Sequence, residues 1–153
     1  MGIKVIAENR KARHNYEIIE KLEAGLELQG SEVKSLREGR ANLTDGHARF
    51  NAAGGTLLSV HISPYSHGGY SNHEPRRPRR ILMHRHEIHR WLGKLKTKGL
   101  TVVPLKLYFN EKGKVKCELA LARGKKVHDK RETLKRKAMD RETQAAIKAR
   151  RRG

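Results

Sequence analysis

Nine histidines, one cysteine and 35 lysines and arginines are the residues of this 153-residue chain with chemistry to offer. His84, His86 and His89 stand close together. In His86-Glu87-Ile88-His89, however, the histidines are three apart rather than the four of a zinc-binding HExxH helix, and no third ligand can be nominated. No metal and no cofactor is therefore expected. The lone Cys117 excludes a disulfide framework or a cysteine zinc finger, and its core parity reads as an inert buried thiol. There is no glycine-rich phosphate loop, no GxSxG elbow and no paired-carboxylate constellation, so the chain is not expected to be an enzyme. What remains is charge. With 16 acidic residues against the 35 basic ones, the net charge is +19. Lysines and arginines laid on phosphates release counterions, and that release dominates nucleic-acid affinity, so nucleic acid is the expected partner.

The cations are densest from Arg123 to Gly153, a stretch that closes on Arg150-Arg151-Arg152. Its apolar stripe (Leu134, Ala138, Ala145, Ala149) is too thin to hold a helix on a core, although composition favours helix from Arg131 onward. Like charges along an isolated helix of this length repel. Two parts are expected: residues 1–122 as a folded domain, and residues 123–153 as a basic tail, disordered when free and helical against a polyanion. No segment pairs a basic face with a broad apolar one, and nowhere do eighteen apolar residues stand together. No leader-like apolar run opens the chain. A soluble, cytoplasmic monomer with no membrane partner is expected.

The elements that must position these charges read as short strands. Ile3–Ala7 alternates, then turns basic in Arg10–His14, too short a run for an independent helix. Tyr16–Leu28 alternates with a break at Ile19-Glu20 and reads as a bent strand. Ser31 can cap a helix that Gly39 closes. Asn42–Asn51 and Thr56–Ile62 read as two strands, and Pro64–Arg80 as a long polar loop with Arg76, Arg77, Arg79 and Arg80 near its end and Tyr65 and Tyr70 as stacking candidates. His84–Lys98 is a helix with Ile88, Trp91, Leu92 and Leu95 on its core face. Two strands then join at Asn110–Gly113, and Pro104 places a bulge or an edge in the first. The sum is a mainly β fold, a small antiparallel OB-type β-barrel with flanking short helices. Such a barrel suits single-stranded or irregular RNA.

Four stretches together carry a resemblance: Asn9-Arg10-Lys11-Ala12-Arg13-His14-Asn15-Tyr16, Leu22-Glu23-Ala24-Gly25-Leu26, Gly30-Ser31-Glu32-Val33-Lys34-Ser35-Leu36-Arg37, and Gly124-Lys125-Lys126-Val127-His128-Asp129-Lys130-Arg131. In this order, with Ala41-Asn42-Leu43 and the Arg80–Leu82 junction between them, the chain resembles the SsrA-binding protein family, small protein B. The resemblance implies an OB-type barrel that binds the tRNA-like domain of transfer-messenger RNA. It also implies delivery of that RNA to ribosomes stalled on mRNAs without a stop codon, for trans-translation. It places the RNA-binding surface at Asn9, Glu23 and Leu82. Lys11, Arg13 and His14 are added on charge grounds. Lys34 and Arg37 of the third stretch, and Arg79 and Arg80 at the end of the arginine-rich loop, complete the set. The family's tail lies in the empty mRNA channel of the small subunit, beside rRNA of the decoding centre. This makes Gly124, Lys125, Lys126, His128, Asp129, Lys130 and Arg131 the expected ribosome contacts. A ribosomal or ribosome-assembly protein that uses the tail as an rRNA anchor is the alternative, and a metal-dependent RNA-processing enzyme built on the histidines is a third.

Overall fold

The two alternating runs around Asn110–Gly113 form the hairpin on which the rest of the chain closes. The computed structural model describes residues 3–66 and 72–125. In chain order the elements are β1 (Lys4–Glu8), α1 (Arg10–Asn15), β2 (Tyr16–Leu26), α2 (Gly30–Arg37), β3 (Ala41–Asn42), β4 (His47–Asn51), β5 (Gly54–Leu58), β6 (His61–Ile62), β7 (Arg79–Leu82), α3 (Arg85–Leu95), β8 (Leu100–Phe109) and β9 (Val115–Gly124). Strands β8, β4, β5, β7, β2 and β9 are neighbours in that order, and β9 pairs back onto β8, so the sheet closes into an antiparallel ring. β1 adds to the free edge of β8 along Phe109–Lys106, beyond the single β4 pairing at Val102. The mainly β architecture with short flanking helices is the expected one.

Local pattern placed several features well. Asn110 accepts from Lys112 and Lys114 and closes the β8–β9 hairpin. The register slips between Pro104 and Lys106, the bulge that a proline without an N–H demands. It also slips between Ile18 and Glu20, which explains the broken alternation of β2 and leaves Ile19 exposed. Gly39 follows α2 at φ 72°, a left-handed stop that a glycine makes without strain. Trp91 and Cys117 are fully buried. Burial pushes the Cys117 thiol up, away from reactivity. The Trp91 ring meets Phe50 edge-on at 6.0 Å, so α3 is fastened to the ring interior by its largest side chain.

Five expectations fail, some for local and some for long-range reasons. Arg10–Asn15 does form a helix, because Asn9 caps it and Ala12 packs over Val103, Leu105, Ala120 and Ala122. The strand expected over Asn42–Asn51 is split by a turn in which Gly46 N–H donates to the Leu43 carbonyl. The strand expected over Thr56–Ile62 breaks at Ser59, whose φ of 60° switches the buried side from Leu57 to Val60 and Ile62. Ser31 does not cap α2. Gln29 does so in a reciprocal box with Glu32, and Ser31 instead meets His73 Nδ1 at 2.9 Å. The last two residues of the expected loop, Arg79 and Arg80, are strand: with Ile81 and Leu82 they form β7.

Glu32 and Arg79 are both fully buried, a pair that sequence reading gave no sign of. Arg79 Nε donates to Glu32 Oε2 at 2.5 Å, Arg77 donates to the other oxygen, and the Gln29 N–H adds a third bond at 2.8 Å. Arg79 also donates to the Val60 and Pro75 carbonyls at 2.6 and 3.0 Å. Burial alone would raise the Glu32 carboxyl, but the Arg77, Gln29 and Arg79 contacts outweigh it and hold it below the usual carboxylate range. This cluster clamps α2 to β7.

Candidate nucleic-acid interface

Strand alternation decides which residues of β7 meet solvent. Arg79 and Ile81 point inward, and Arg80 and Leu82 point outward, with Leu82 half exposed. Residues that face each other across an antiparallel ladder share one side of the sheet. Leu82 pairs with Gly25 of β2, Gly25 with Lys116 of β9, Lys116 with Tyr108 of β8, and Tyr108 with Val5 of β1. One row therefore crosses five strands on the outer face. The next row holds Glu23, Glu118, Lys106 and Glu8. Gly25 leaves room in the middle: a Cβ there would sit 3.4 Å from the Leu82 Cβ and 3.8 Å from Lys116 Nζ. Both side chains thus lie over β2. Glu23, Gly25, Arg80, Leu82, His84 and Lys116 line a shallow cleft at this end of the face.

Glu23 stands exposed at that cleft, and the Tyr108 hydroxyl donates to its Oε2. Burial, the Glu23 bond and the Glu23 charge together push the Tyr108 phenol up, so it remains a donor. Beside it, Glu118 sits between three cations at contact distance, Arg13 at 3.8 Å, Lys21 at 4.0 Å and Lys106 at 3.9 Å. The Lys106 ammonium also lies 5.3 Å from the Tyr108 ring centroid. A face of this kind offers an apolar platform, an exposed carboxylate beside it and a line of cations at phosphate-like reach.

α1 covers the other end of the same face. Asn9 is almost completely buried, and its side chain is fully used: Oδ1 accepts from the Ala12 N–H, and Nδ2 donates to the Leu43 and Pro104 carbonyls, each bond 3.0 Å long. Asn9 therefore fixes the helix that carries Lys11, Arg13 and His14 to the surface, where all three are exposed. Lys11 lines a second cleft with Thr44, Asp45 and His47.

Of the expected contacts, the structure brings Glu23, Arg80 and Leu82 together and links them to Arg13 through Glu118. Lys34 and Arg37 are exposed on α2, with Lys34 Nζ 5.6 Å from the Tyr65 ring. Arg79 has no surface at all and is committed to Glu32, so it belongs to the clamp and not to the basic face. Tyr108, Lys116, Lys21 and Lys106 were missed as site residues. Their outward parity was visible in the alternation of β2, β8 and β9, but only cross-strand pairing shows that they adjoin Glu23. Gly124 ends β9 opposite Tyr16, and the Lys125 N–H donates to the Asn15 carbonyl at 2.8 Å, so the tail leaves beside α1. Eight residues of strand separate Lys116 from that exit, about 26 Å. Lys126, His128, Asp129, Lys130 and Arg131, the tail helix and Tyr70 lie outside the described residues. Among the described residues no group of three His, Cys, Asp or Glu side chains is placed to hold a metal ion, and no helix is long and apolar enough to cross a membrane.

The family model described as SmpB protein matches residues 6–149. The SsrA-binding protein of Syntrophobacter fumaroxidans is 57% identical over 148 residues, covering 97% of this chain and 91% of that protein. That of Moorella thermoacetica is 54% identical, covering 97% of this chain and 96% of that protein. A solved chain described as "tmRNA-SmpB: a journey to the center of the bacterial ribosome" is 55% identical, with a TM-score of 0.67, and the match covers 78% of this chain and 84% of that one.

Proposed function

The chain belongs to the SmpB family of SsrA-binding proteins, and on that premise we propose that it is an RNA-binding adaptor of trans-translation, acting by binding and not as an enzyme. It holds transfer-messenger RNA by the tRNA-like domain and delivers it to ribosomes stalled on mRNAs that lack a stop codon, which makes the cytoplasm its place of work. The observation that carries the reading is the outer face running from α1 to Leu82, where cations, an exposed carboxylate and a half-exposed leucine share one surface. Phosphates of the RNA lie against Arg13, Lys21, Lys106, Lys116 and Arg80, and Leu82 receives a base or sugar. Asn9 contributes by fixing α1.

In this reading residues 1–122 are the handle, with Arg123 and Gly124 completing β9, and the residues after them are the reach. The tail starts about 26 Å from the Leu82 cleft, at the far end of β9. Its Gly124–Arg131 segment, with His128, Asp129, Lys130 and Arg131, stands by the decoding centre in place of a codon–anticodon pair. The remainder enters the empty mRNA channel as a helix formed on contact with rRNA. An mRNA occupying that channel excludes the tail sterically, which confines delivery to ribosomes whose message has run out.

The test is equilibrium binding of the full chain to a transcript of the tRNA-like domain and to a small-subunit rRNA fragment of equal length, at two salt concentrations. The adaptor binds the first at least a hundredfold tighter at both. Equal affinity for the two would refute the reading and leave a permanent rRNA anchor in its place.

A further inference from the structure

We infer that Tyr108 is a positioning residue for RNA recognition, setting Glu23 to accept a hydrogen bond from a nucleotide that rests on Leu82 and Gly25. The inference rests on the proposed binding of the tRNA-like domain and adds how one nucleotide is read. Carboxylates repel the phosphate backbone, so an exposed one at a nucleotide is favourable where it accepts from a hydrogen-bond donor. RNA offers two such donors, the amino or imino N–H of a base and the ribose 2′-hydroxyl.

The geometry prepares Glu23 for that task. Among the described residues Tyr108 is its one hydrogen-bond partner, bound at Oε2, which leaves Oε1 and the remaining lone pair of Oε2 for the RNA. An exposed glutamate otherwise samples many rotamers, and holding it in advance removes that ordering cost from binding. Tyr108 is itself held: it is 4% exposed, lies in β8 between β1 and β9, and has Lys106 over its ring. Gly25, one place along from Glu23 on the same side of β2, contributes no side chain, so the floor beside the carboxylate is flat and bounded by Leu82 and Lys116. A single unpaired nucleotide fits this description: its base against Leu82, its donor toward Glu23, its phosphate toward Lys116 or Arg80.

The experiment uses the full chain and a transcript of the tRNA-like domain. If the unaltered protein does not bind the transcript, the proposed function fails. If it binds, the inference is tested separately by Tyr108→Phe, Glu23→Gln and the double variant, with melting temperatures measured alongside. Tyr108→Phe should weaken binding three- to tenfold with a melting temperature within a few degrees of the parent, and the double variant should be no weaker than Glu23→Gln alone. Independent, multiplicative losses would overturn it, as would no loss for Tyr108→Phe. A Tyr108→Phe variant that no longer folds would also overturn it, because the hydroxyl would then serve the fold. A second arm replaces each protein-protected unpaired nucleotide, in turn, with its 2′-deoxy form or with an analogue lacking the exocyclic amino group. One replacement should weaken the parent at least fivefold and leave Glu23→Gln unchanged, and its type tells ribose from base. Equal effects on both proteins at every position would contradict the inference.

Discussion

Replacing Glu32 with glutamine removes one negative charge from the centre of the clamp between α2 and β7 and leaves the volume unchanged. Arg79, with no exposed surface, would then keep its bonds to the Val60 and Pro75 carbonyls but lose the buried counter-ion it has among the described residues. Breaking a buried pair from one side costs about 3–5 kcal/mol, because the surviving charge stays out of water. Arg77 moderates this, since its side chain is 27% exposed and can rehydrate, so the lower end applies. A loss of about 3 kcal/mol lowers the melting temperature of a domain this size by about 12 °C. The effect carries a pH signature. The folded Glu32 carboxyl lies below its ordinary value, so its contribution is full above about pH 4.3 and disappears as pH falls through the folded pKa. Thermal melts of parent and Glu32→Gln by circular dichroism should therefore differ most near pH 7 and converge toward pH 3. Adding Arg79→Met to the glutamine variant should recover part of the loss, since the stranded charge is gone. A difference under 1 kcal/mol at pH 7, or one that does not narrow in acid, would refute the reasoning.

Other outcomes follow from the same geometry. Gly25→Val puts branched methyls where Leu82 and Lys116 meet and should reduce affinity for the tRNA-like domain about tenfold while the ring still folds, read by anisotropy and thermal melting. Glu118→Gln frees Arg13, Lys21 and Lys106 from their shared acid, so affinity for any RNA should rise a few-fold at low salt and the gain should fade at high salt, seen in a salt titration. Asn9→Ala removes an N-cap and two long-range bonds, and should cost about 2–3 kcal/mol in denaturant melts before any effect on RNA is seen. A chain ending at Lys125 keeps all of β9 and should bind the tRNA-like domain within a few-fold of the parent, yet fail to support peptide tagging on stalled ribosomes in a reconstituted translation assay.

Local periodicity made α3, the β8–β9 hairpin, the Pro104 bulge, the Gly39 stop and the burial of Trp91 and Cys117 readable, because each depends on neighbours a few residues away. Features tied across long separations were not. α1 exists because Asn9 reaches Leu43 and Pro104, 34 and 95 residues on, and the Glu32–Arg79 pair spans 47 residues. Nothing in an acid following Ser31 or in a run of loop arginines announces that one of each is buried against the other. The site divides in the same way. Glu23 and Leu82 came with the family resemblance, and the outward side of Tyr108, Lys106 and Lys116 came with alternation. That these form adjoining rows needed the pairing of β7 with β2 and of β9 with both β2 and β8. Asn9 and Arg79 illustrate the converse: polar residues expected at the RNA prove to be buried and spent on holding the elements that reach it.

The account stands most directly on the outer face as the RNA handle, and one measurement addresses it: the dissociation constant of the tRNA-like domain for the full chain carrying Leu82→Asp. Leu82 is half exposed and pairs with Gly25 across the ladder, so the change leaves the core untouched while placing a negative charge at the centre of the proposed contact. The account predicts a loss of at least thirtyfold with an unchanged melting temperature. Binding within threefold of the parent would contradict it and move the RNA to another surface.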